Sequence, residues 1–415
     1  MTGSESEDEQ IRCKGIGHSS AVSMSQPAQL TGIAWDHSRA YPPLVATAQR
    51  YEETHAGVRI NWHKRTLDEF GHAPIDVLAQ RFDLIVIDHP WAEFCFQRNL
   101  VLDLFQAIPA EVVAELRKCS IGLTFDSYIY EGQLLAVPID AAVPAPSWRP
   151  DLLERVGVQA PQTWDELIVL SRRKLVIVPA FDADLFLHFV MLIKALGAEP
   201  FASCEEIAPR SILQAAIELL RELTESMPRE IFELNPILVA ERMTTTDDFV
   251  WNCFAYTYNN YARPGFAAKP LRFGNLPSFK AGGPRLRSVL GGTGLAISAN
   301  CQEVSVALDY AAFVANGNTQ KTLYFHAGGQ PSHCAAWDDP CIDGLSGGFF
   351  SATRQAQLEA IVRPRYAGYV SLQTDGGRTL QDHLCYGRSL LGTVDQLNAL
   401  YRASRLREAA SPRTN

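Results

Sequence analysis

Hydrophobic positions near the start of the chain alternate between the spacings of strands and helices. Residues 30–35 and 58–62 are short extended segments, and residues 82–87 form an almost continuous apolar run, as in strands buried on both faces. Between the first two strands, residues 41–55 carry apolar side chains at helical spacing. Strands that alternate with helices in this order predict a parallel sheet joined by right-handed crossovers.

The later segments continue this mixture of strands and helices. Residues 133–139 form another extended stretch. Thr163 and Glu166 have the spacing of a capping box, which predicts a helix that runs to about Lys174. The other predicted elements are strands at 175–178, 271–273 and 291–297, and helices at 184–196, 211–223, 304–315, 319–325 and 393–403.

Length and composition narrow the class of protein. A chain of 415 residues is too long for one ordinary core, which predicts two lobes. The hydrophobic fraction of 47% and the charged fraction of 20% are typical of a soluble globular protein. The formal net charge is -9 and no basic stripe with interleaved aromatic residues occurs, so we expect no nucleic-acid partner. No apolar run is long enough to span a bilayer, so the chain is not expected to be membrane-spanning.

Cysteines and the first residues bear on the compartment. The nine cysteines are irregularly spaced without a Cys-x-x-Cys motif, which argues against a disulfide framework or structural zinc, although a Cys334–Cys341 pair stays open. Free thiols favour a reducing compartment. Residues 1–29 predict a disordered tail and lack the regions of a secretory signal. We therefore expect a cytoplasmic location, and a periplasmic one only if translation starts at a codon other than that of Met1.

Five short segments follow one another in a recognisable order. The most specific is Pro-Gln-Thr-Trp-Asp-Glu-Leu at residues 161–167. The others are Tyr-Glu-Gly-Gln-Leu-Leu-Ala-Val-Pro (130–138), Trp-Arg-Pro-Asp-Leu-Leu (148–153), Gly-Gly-Thr-Gly-Leu-Ala-Ile-Ser (291–298) and Gly-Gln-Pro (329–331). Together they resemble the bacterial extracellular solute-binding proteins of ABC transporters that are related to maltose-binding protein. The missing signal peptide departs from that family.

The resemblance implies an α/β protein with a two-lobed, periplasmic-binding-protein-like fold. Each lobe is then a mixed sheet flanked by helices, with the ligand cleft at the hinge. The implied boundaries are residues 30–137 with 293–345 for lobe I and 138–292 for lobe II. Residues 346–415 are then C-terminal helices that pack on the lobes. Fold alone does not settle the ligand or the function.

Polar and aromatic residues follow three of the predicted strands, at the ends where open parallel sheets bind ligands. Carboxylates there can accept hydrogen bonds from hydroxyl groups or pair with an amine, and tryptophan rings can pack on sugar C–H surfaces or cations. The structural alternatives stay open: core tryptophans, helix-capping carboxylates and loop histidines bonded to the backbone. The resemblance puts these ends at the cleft, and the candidate ligand-binding residues are Trp35, Asp36, His37, Asp88, His89, Trp91, Asp140 and Trp148.

A second group of candidates comes from the predicted second lobe. Aromatic residues alternate with small or polar ones near residues 251–258, so one face of a strand there can line the cleft. Trp251, Asn252 and Tyr256 are the candidates, with a packed strand as the alternative. Gly292 and Thr293 can offer backbone N–H groups to an anion or a hydroxyl, or form a plain turn.

The Asp-His pairs at 36–37 and 88–89 allow two further interpretations. They could ligate zinc, iron or manganese, or act as general acid and base. Side chains adjacent in sequence need not converge, however, so we expect no metal. The dinucleotide-binding fingerprint and the phosphate-binding P-loop do not occur in the sequence, and no cofactor is expected.

Three functions therefore remain open. The first is solute binding, in which the chain closes over a sugar, a polyol or a small organic acid or amine and presents it to an ABC transporter permease. The second is a cytoplasmic enzyme on the same fold, and the third is a cytoplasmic ligand sensor. The ordered motifs favour binding without catalysis, while the missing signal favours the other two. We expect a monomer.

Overall fold

The computed structural model describes residues 27–72 and 75–409. Most of the predicted tail, residues 1–26, lies outside these ranges, and residues 28 and 29 already belong to the first strand. The strands are β1 (Ala28–Trp35), β2 (Val58–Arg65), β3 (Leu84–Ile87), β4 (Ile129–Tyr130), β5 (Gln133–Leu134), β6 (Val137–Ala142), β7 (Ser147–Trp148), β8 (Trp251–Asn252), β9 (Arg272–Phe273) and β10 (Gly291–Ile297).

Helices surround these strands and dominate the last third of the chain. They are α1 (Tyr41–Thr54), α2 (Leu67–His72), α3 (Ile75–Ala79), α4 (Ala92–Gln97), α5 (Leu104–Ala107), α6 (Ala110–Cys119), α7 (Pro150–Val156), α8 (Trp164–Arg172), α9 (Asp182–Ala195), α10 (Arg210–Thr224), α11 (Pro236–Thr245), α12 (Val304–Ala315), α13 (Gly317–Thr319), α14 (Cys334–Trp337), α15 (Pro340–Leu345), α16 (Phe349–Leu358), α17 (Tyr369–Tyr386) and α18 (Leu390–Ala409).

The largest sheet has the strand order β2-β1-β3-β10-β6. β1 pairs in parallel with β2 and with β3, as the alternation of strands and helices predicted. β10 enters between β3 and β6 and is antiparallel to both, with Thr293 opposite Asp140. The chain thus returns to its first sheet late in the sequence, which makes this sheet mixed.

The predicted capping box is present at the start of α8. The Thr163 side chain accepts a hydrogen bond from the Glu166 backbone N–H at 3.3 Å. The Glu166 carboxylate in turn accepts one from the Gln162 backbone N–H at 2.7 Å. These two bonds satisfy donors that a helix start leaves without partners, which is why the helix begins here.

Two predicted strands differ from the structure. Residues 133–139 are interrupted, so β5 and β6 are separate strands. Residues 175–178 do not form a strand; Val176 makes one isolated parallel bridge to Trp251. An apolar run of four residues is equally compatible with a buried strand and with a buried connection. Only pairing with distant residues decides between the two.

The predicted strand at residues 251–258 is also wrong beyond Asn252. Tyr256 and Thr257 have φ values of +50° and +45°, a left-handed conformation that ends regular pairing. The Thr257 hydroxyl holds this turn, because it donates to the Val143 carbonyl at 2.9 Å and accepts from the Val143 N–H at 3.1 Å. The turn brings Tyr256 and Tyr258 beside the first sheet.

Buried apolar side chains form two large clusters, here called the first core and the second core. The first core surrounds the five-stranded sheet, and the second contains α9, α10 and the C-terminal helices α17 and α18. The chain passes between the cores from Ile139 to Ala141, from Val289 to Leu295, and after Tyr324. The exact lobe boundaries of the sequence analysis stay a prediction. Within the described residues, no helix is both long and apolar enough to cross a membrane.

Candidate functional site

A cavity of about 230 Å³ lies between the two cores. Leu67 and Phe70 of α2, packed on the first core, form one wall. Leu187 of α9 and Tyr258, both in the second core, form the opposite wall. A molecule bound there contacts both halves of the protein. The charged side chains of its lining are Asp68, Asp88, Asp184, Glu233 and Arg363.

Asp88 and Arg363 form an ion pair at one edge of this cavity. Arg363 Nη2 lies 2.7 and 2.6 Å from the two Asp88 carboxylate oxygens. Burial by itself would raise the pKa of Asp88, but the charge of Arg363 and the hydrogen bond with His89 outweigh it and lower the pKa to about 2. Arg363 also donates through Nε to the Leu290 carbonyl at 3.0 Å. Its charge is therefore already neutralised by protein groups.

Asp184 lies in the first turn of α9 and also lines the cavity. Burial, followed by the nearby charge of Asp182, raises the pKa of Asp184 to about 8, although the nearby Tyr256 hydroxyl and the charge of Arg363 oppose the shift. Asp182 itself lies 3.2 Å from Arg378. Asp184 thus prefers a neutral form near pH 7, and a ligand that supplies a donor or a cation can stabilise its ionised form.

Asp140 is buried beside the cavity and does not line it. Arg39 Nε donates to one Asp140 carboxylate oxygen at 2.8 Å, and Nη2 of the same guanidinium reaches the other. The guanidinium carbon lies 4.7 Å from the centre of the Tyr258 ring, and Nη1 lies 3.4 Å from the Tyr256 carbonyl oxygen. The pair therefore joins the first sheet to two aromatic residues of the cavity wall.

The three candidates after β1 have different environments. The Trp35 ring is buried and packs on Phe70, with centroids 5.0 Å apart. Asp36 is exposed and pairs with Lys64 at 3.0 Å. The His37 ring lies 4.9 Å from that of Tyr258, and burial together with the Arg39 charge lowers the pKa of His37 to about 4.

The candidates after β3 are buried. His89 is 1% exposed, and burial followed by the Arg363 charge lowers its pKa to about 4, against the opposing effect of Asp88. Trp91 packs on Phe94 at a centroid distance of 5.3 Å. Neither side chain lines the cavity.

The tryptophan candidates of the second core stack on one another. Trp148 and Trp251 are nearly parallel, with an angle of 13° and centroids 5.0 Å apart, as neighbours on β7 and β8. Asn252 is buried, and its side-chain oxygen accepts from the Phe254 backbone N–H at 2.9 Å. These three residues lie away from the cavity lining.

Gly292 and Thr293 belong to β10, where it pairs with β6. Gly292 has a φ of +94°, and a Cβ atom there would lie 2.4 Å from the Asp140 carbonyl oxygen. Thr293 is buried opposite Asp140. Only glycine allows the two strands to approach this closely at the passage between the cores.

Replacing Gly292 with alanine is expected to lower the free energy of unfolding by about 2–3 kcal/mol, because a strained backbone and a steric clash add together. The matched control is Gly132→Ala, where φ is +80° but no atom lies within 4 Å of the added Cβ. We expect the control to cost about 1 kcal/mol. Urea unfolding of both variants measures the difference, and equal losses would contradict the close approach at Gly292.

The structure brings only part of the predicted set to the cavity. Asp88 and Tyr256 line it, whereas His37 and Asp140 contact its wall through Tyr258 and Arg39. Ligand contact stays a prediction for every candidate. Sequence reasoning missed several lining residues, because a carboxylate at a helix start, scattered aromatic side chains and a single arginine carry no signal of a site. They are Phe70, Asp184, Tyr258 and Arg363.

A metal centre would need several histidine, cysteine or carboxylate side chains to converge. Among residues 27–72 and 75–409, no group of three or more of them is placed to hold a metal ion. The Asp88 carboxylate of the second Asp-His pair is instead occupied by Arg363. In the first pair, Asp36 turns to Lys64 at the surface while His37 packs on Tyr258.

Many solved structures share this architecture. Maltose-bound T. maritima MalE3 superimposes with a TM-score of 0.78 at 18% sequence identity, covering 91% of this chain and 99% of that chain. An ABC transporter solute-binding protein from Agrobacterium radiobacter K84 in complex with ribitol gives 0.76 at 16% identity, with 91% and 98% covered. The Thermus thermophilus maltotriose-binding protein bound with maltotriose gives 0.73 at 14% identity, with 91% and 100% covered.

Sequence comparison alone does not reach these proteins. No family model matches the chain, and no curated protein matches it. The structural likeness nevertheless extends over nine-tenths of the chain and almost the whole of each similar structure. The chain therefore has the two-lobed α/β fold of ABC-transporter solute-binding proteins, the fold that its ordered motifs predicted.

Proposed function

We propose that this chain is a solute-binding protein that closes over a small polar ligand between its lobes. The observation that carries the proposal is the cavity itself, whose opposite walls come from the first core and the second core. A ligand that contacts both walls binds the closed arrangement better than an open one. Its binding energy then shifts the population towards closure.

The charges around the cavity favour a neutral or cationic ligand over an anionic one. Among the described lining residues, Arg363 is the one cationic side chain, and both oxygens of Asp88 occupy it. Asp184 has a raised pKa because burial disfavours its charge, so an additional anion nearby would be repelled once that carboxyl ionises. A hydroxyl or ammonium group supplies the donor that this carboxyl can use.

Aromatic rings provide the apolar part of the binding surface. Phe70 on one wall and Tyr258 on the other can pack on the C–H face of a sugar or polyol, or on an alkyl ammonium group. Sugars, polyols and amines fit this combination better than organic acids. The similar structures named above hold maltose, ribitol and maltotriose.

Delivery to an ABC transporter permease is the next step of the same proposal. In that role the closed, loaded protein docks on the permease, which requires a location outside the cytoplasmic membrane. Catalysis is a weaker alternative, because His37 and His89, the acid–base candidates, do not line the cavity. Their pKa values of about 4 also leave both rings neutral at pH 7.

Binding is tested on the full chain with maltose, ribitol, putrescine and citrate, by calorimetry and by the shift of the unfolding temperature. We expect at least one of the neutral or cationic compounds to bind and citrate not to bind. Asp184→Asn should then weaken binding by about 10-fold or more, because a charged hydrogen bond contributes about 1.5–3 kcal/mol. The matched control is Asp36→Asn at the surface, which should leave the affinity unchanged.

Protein purified from its native cells distinguishes binding from catalysis. A ligand that co-purifies from the native cells and stays chemically unaltered on incubation supports a binding protein. Its conversion into another molecule would identify an enzyme instead. If native mass spectrometry shows no bound molecule and none of the four compounds shifts the unfolding temperature, the proposal fails.

A further inference from the structure

Cys119 and Cys334 lie opposite one another where two segments of the chain meet. Cys119 is the last residue of α6, and Cys334 is the first of α14. Their neighbours Ser120 and His333 form an isolated antiparallel bridge. The Ile121 N–H donates to the Ser332 carbonyl at 2.9 Å in the same register. One step along that register, Cys119 faces Cys334.

The register of the bridge aligns Cys119 with Cys334, an alignment that suits a disulfide. Directly opposite residues of an antiparallel pair have Cα atoms about 4.5–5.5 Å apart. Disulfides usually span Cα distances of about 4.4–6.8 Å. The Cys119 thiol is also close enough to Cys334 to contribute to raising the pKa of that thiol. The chain therefore needs little rearrangement for the two sulfur atoms to bond.

Most of the other described cysteines have different surroundings. Cys95, Cys253 and Cys301 are buried, Cys204 and Cys341 are exposed, and Cys385 is half-buried but has no cysteine opposite it in this register. Cys119 and Cys334 are both half-buried, so a small reagent can reach them. Burial, followed by the hydrogen bond from Cys119, raises the pKa of Cys334 to about 11. Cys334 is therefore protonated at neutral pH and should react faster as the pH rises.

A bond at this position would join the two cores. Leu116 of α6 belongs to the first core, whereas Ile121, just after α6, and Ala336 and Trp337 of α14 belong to the second. Next to the pair, the Ser332 hydroxyl donates to the Pro138 carbonyl at 2.9 Å, close to the passage of β6 between the cores. A covalent link here ties α6 to α14 beside the hinge segments.

We infer that Cys119 and Cys334 form a reversible disulfide that fastens the first core to the second. The oxidant is a low-molecular-weight disulfide such as oxidised glutathione. One cysteine thiolate attacks a sulfur of that reagent, forms a mixed disulfide and releases one small thiol. The second cysteine thiolate attacks the protein sulfur of the mixed disulfide and releases the other. Two electrons pass to the reagent, and the two thiol protons end on the released thiols.

The test incubates the full chain with graded ratios of oxidised to reduced glutathione at pH 8, then alkylates the remaining thiols. We expect mass spectrometry to show a loss of two hydrogens and a peptide in which Cys119 is linked to Cys334. The unfolding temperature should rise on oxidation, since the bond closes a long loop. Reduction by dithiothreitol should reverse both changes.

Single-cysteine variants make the assignment specific. Cys119→Ser and Cys334→Ser should each lose the crosslink and the rise in unfolding temperature, while Cys341→Ser, an exposed control seven positions after Cys334, should keep both. The inference is overturned if, under conditions that oxidise Cys341, the thiols of Cys119 and Cys334 stay free and are alkylated afterwards. It is also overturned if each of them carries only a glutathione. A crosslink to any other cysteine would overturn it too. None of these outcomes bears on ligand binding in the cleft.

Discussion

Replacing Asp140 with alanine is expected to lower the free energy of unfolding by about 3–5 kcal/mol. The Asp140 side chain is fully buried, and the Arg39 side chain is 5% exposed. Removal of the carboxylate leaves the Arg39 guanidinium buried beside Tyr258 without a counter-charge. The cost arises mainly from that uncompensated charge, because the intact pair only balances its own desolvation.

Urea unfolding of the variants tests this expectation. The matched control is Asp36→Ala, which breaks the exposed pair with Lys64 and should cost less than about 1 kcal/mol. The double substitution Arg39→Met with Asp140→Leu removes both charges together and should recover most of the loss. An Asp140→Ala variant as stable as the Asp36→Ala control would show that Arg39 is not buried as described.

Asp140 also illustrates a limit of prediction from local sequence patterns. The sequence analysis named Asp140 as a candidate ligand-binding residue, so a ligand was the expected partner of its carboxylate. Arg39 takes that place, although it lies 101 positions earlier in the chain. Its own loop was recognised as a strand end, but spacing along the chain does not report which residue of a loop turns inward. If Asp140→Ala lowers ligand affinity, the cause would be indirect: the change would shift Arg39, and with it Tyr258 in the cavity wall.

The fold was predictable wherever short-range patterns decide it. A short extended segment marked β1, an almost continuous apolar run marked β3, and the capping box at Thr163 marked the start of α8. The antiparallel entry of β10 between β3 and β6 depends on pairing across the whole chain, which no local pattern records. The left-handed turn at Tyr256 likewise depends on a distant group, the backbone of Val143 that holds its neighbour Thr257.

The site was less predictable than the fold because its parts come from distant segments. Asp88 was found as a strand-end carboxylate, but its partner Arg363 lies 275 positions later in a region predicted only as helical. Asp184 was the predicted first residue of a helix, where an acidic side chain is ordinary. Its raised pKa arises from burial between the cores, and burial of that kind exists only once both lobes are assembled.

Asp184→Asn is expected to stabilise the protein at alkaline pH and to remove part of its pH dependence. The folded protein holds the Asp184 proton up to about pH 8, whereas the ordinary pKa of an aspartate side chain in water is 3.8. Folding therefore takes up a proton between these values, so the wild type loses about 1.4 kcal/mol of stability per pH unit as the pH rises through that window. Asparagine mimics the neutral carboxyl in size and shape and has no charge to bury, so the variant does not lose stability in this way.

Unfolding free energies of the wild type and Asp184→Asn between pH 6.5 and 8 isolate this effect. Below that range, His37 and His89 have pKa values lowered to about 4, so both proteins gain stability as the pH rises. This gain is common to the wild type and the variant and opposes the effect of Asp184. The difference between the two proteins should widen with pH and approach several kcal/mol, at most about 5. Asp36→Asn, at the surface, should follow the wild type. Parallel curves for Asp184→Asn and the wild type would mean that solvent reaches Asp184, and that its carboxylate is ionised before a ligand arrives.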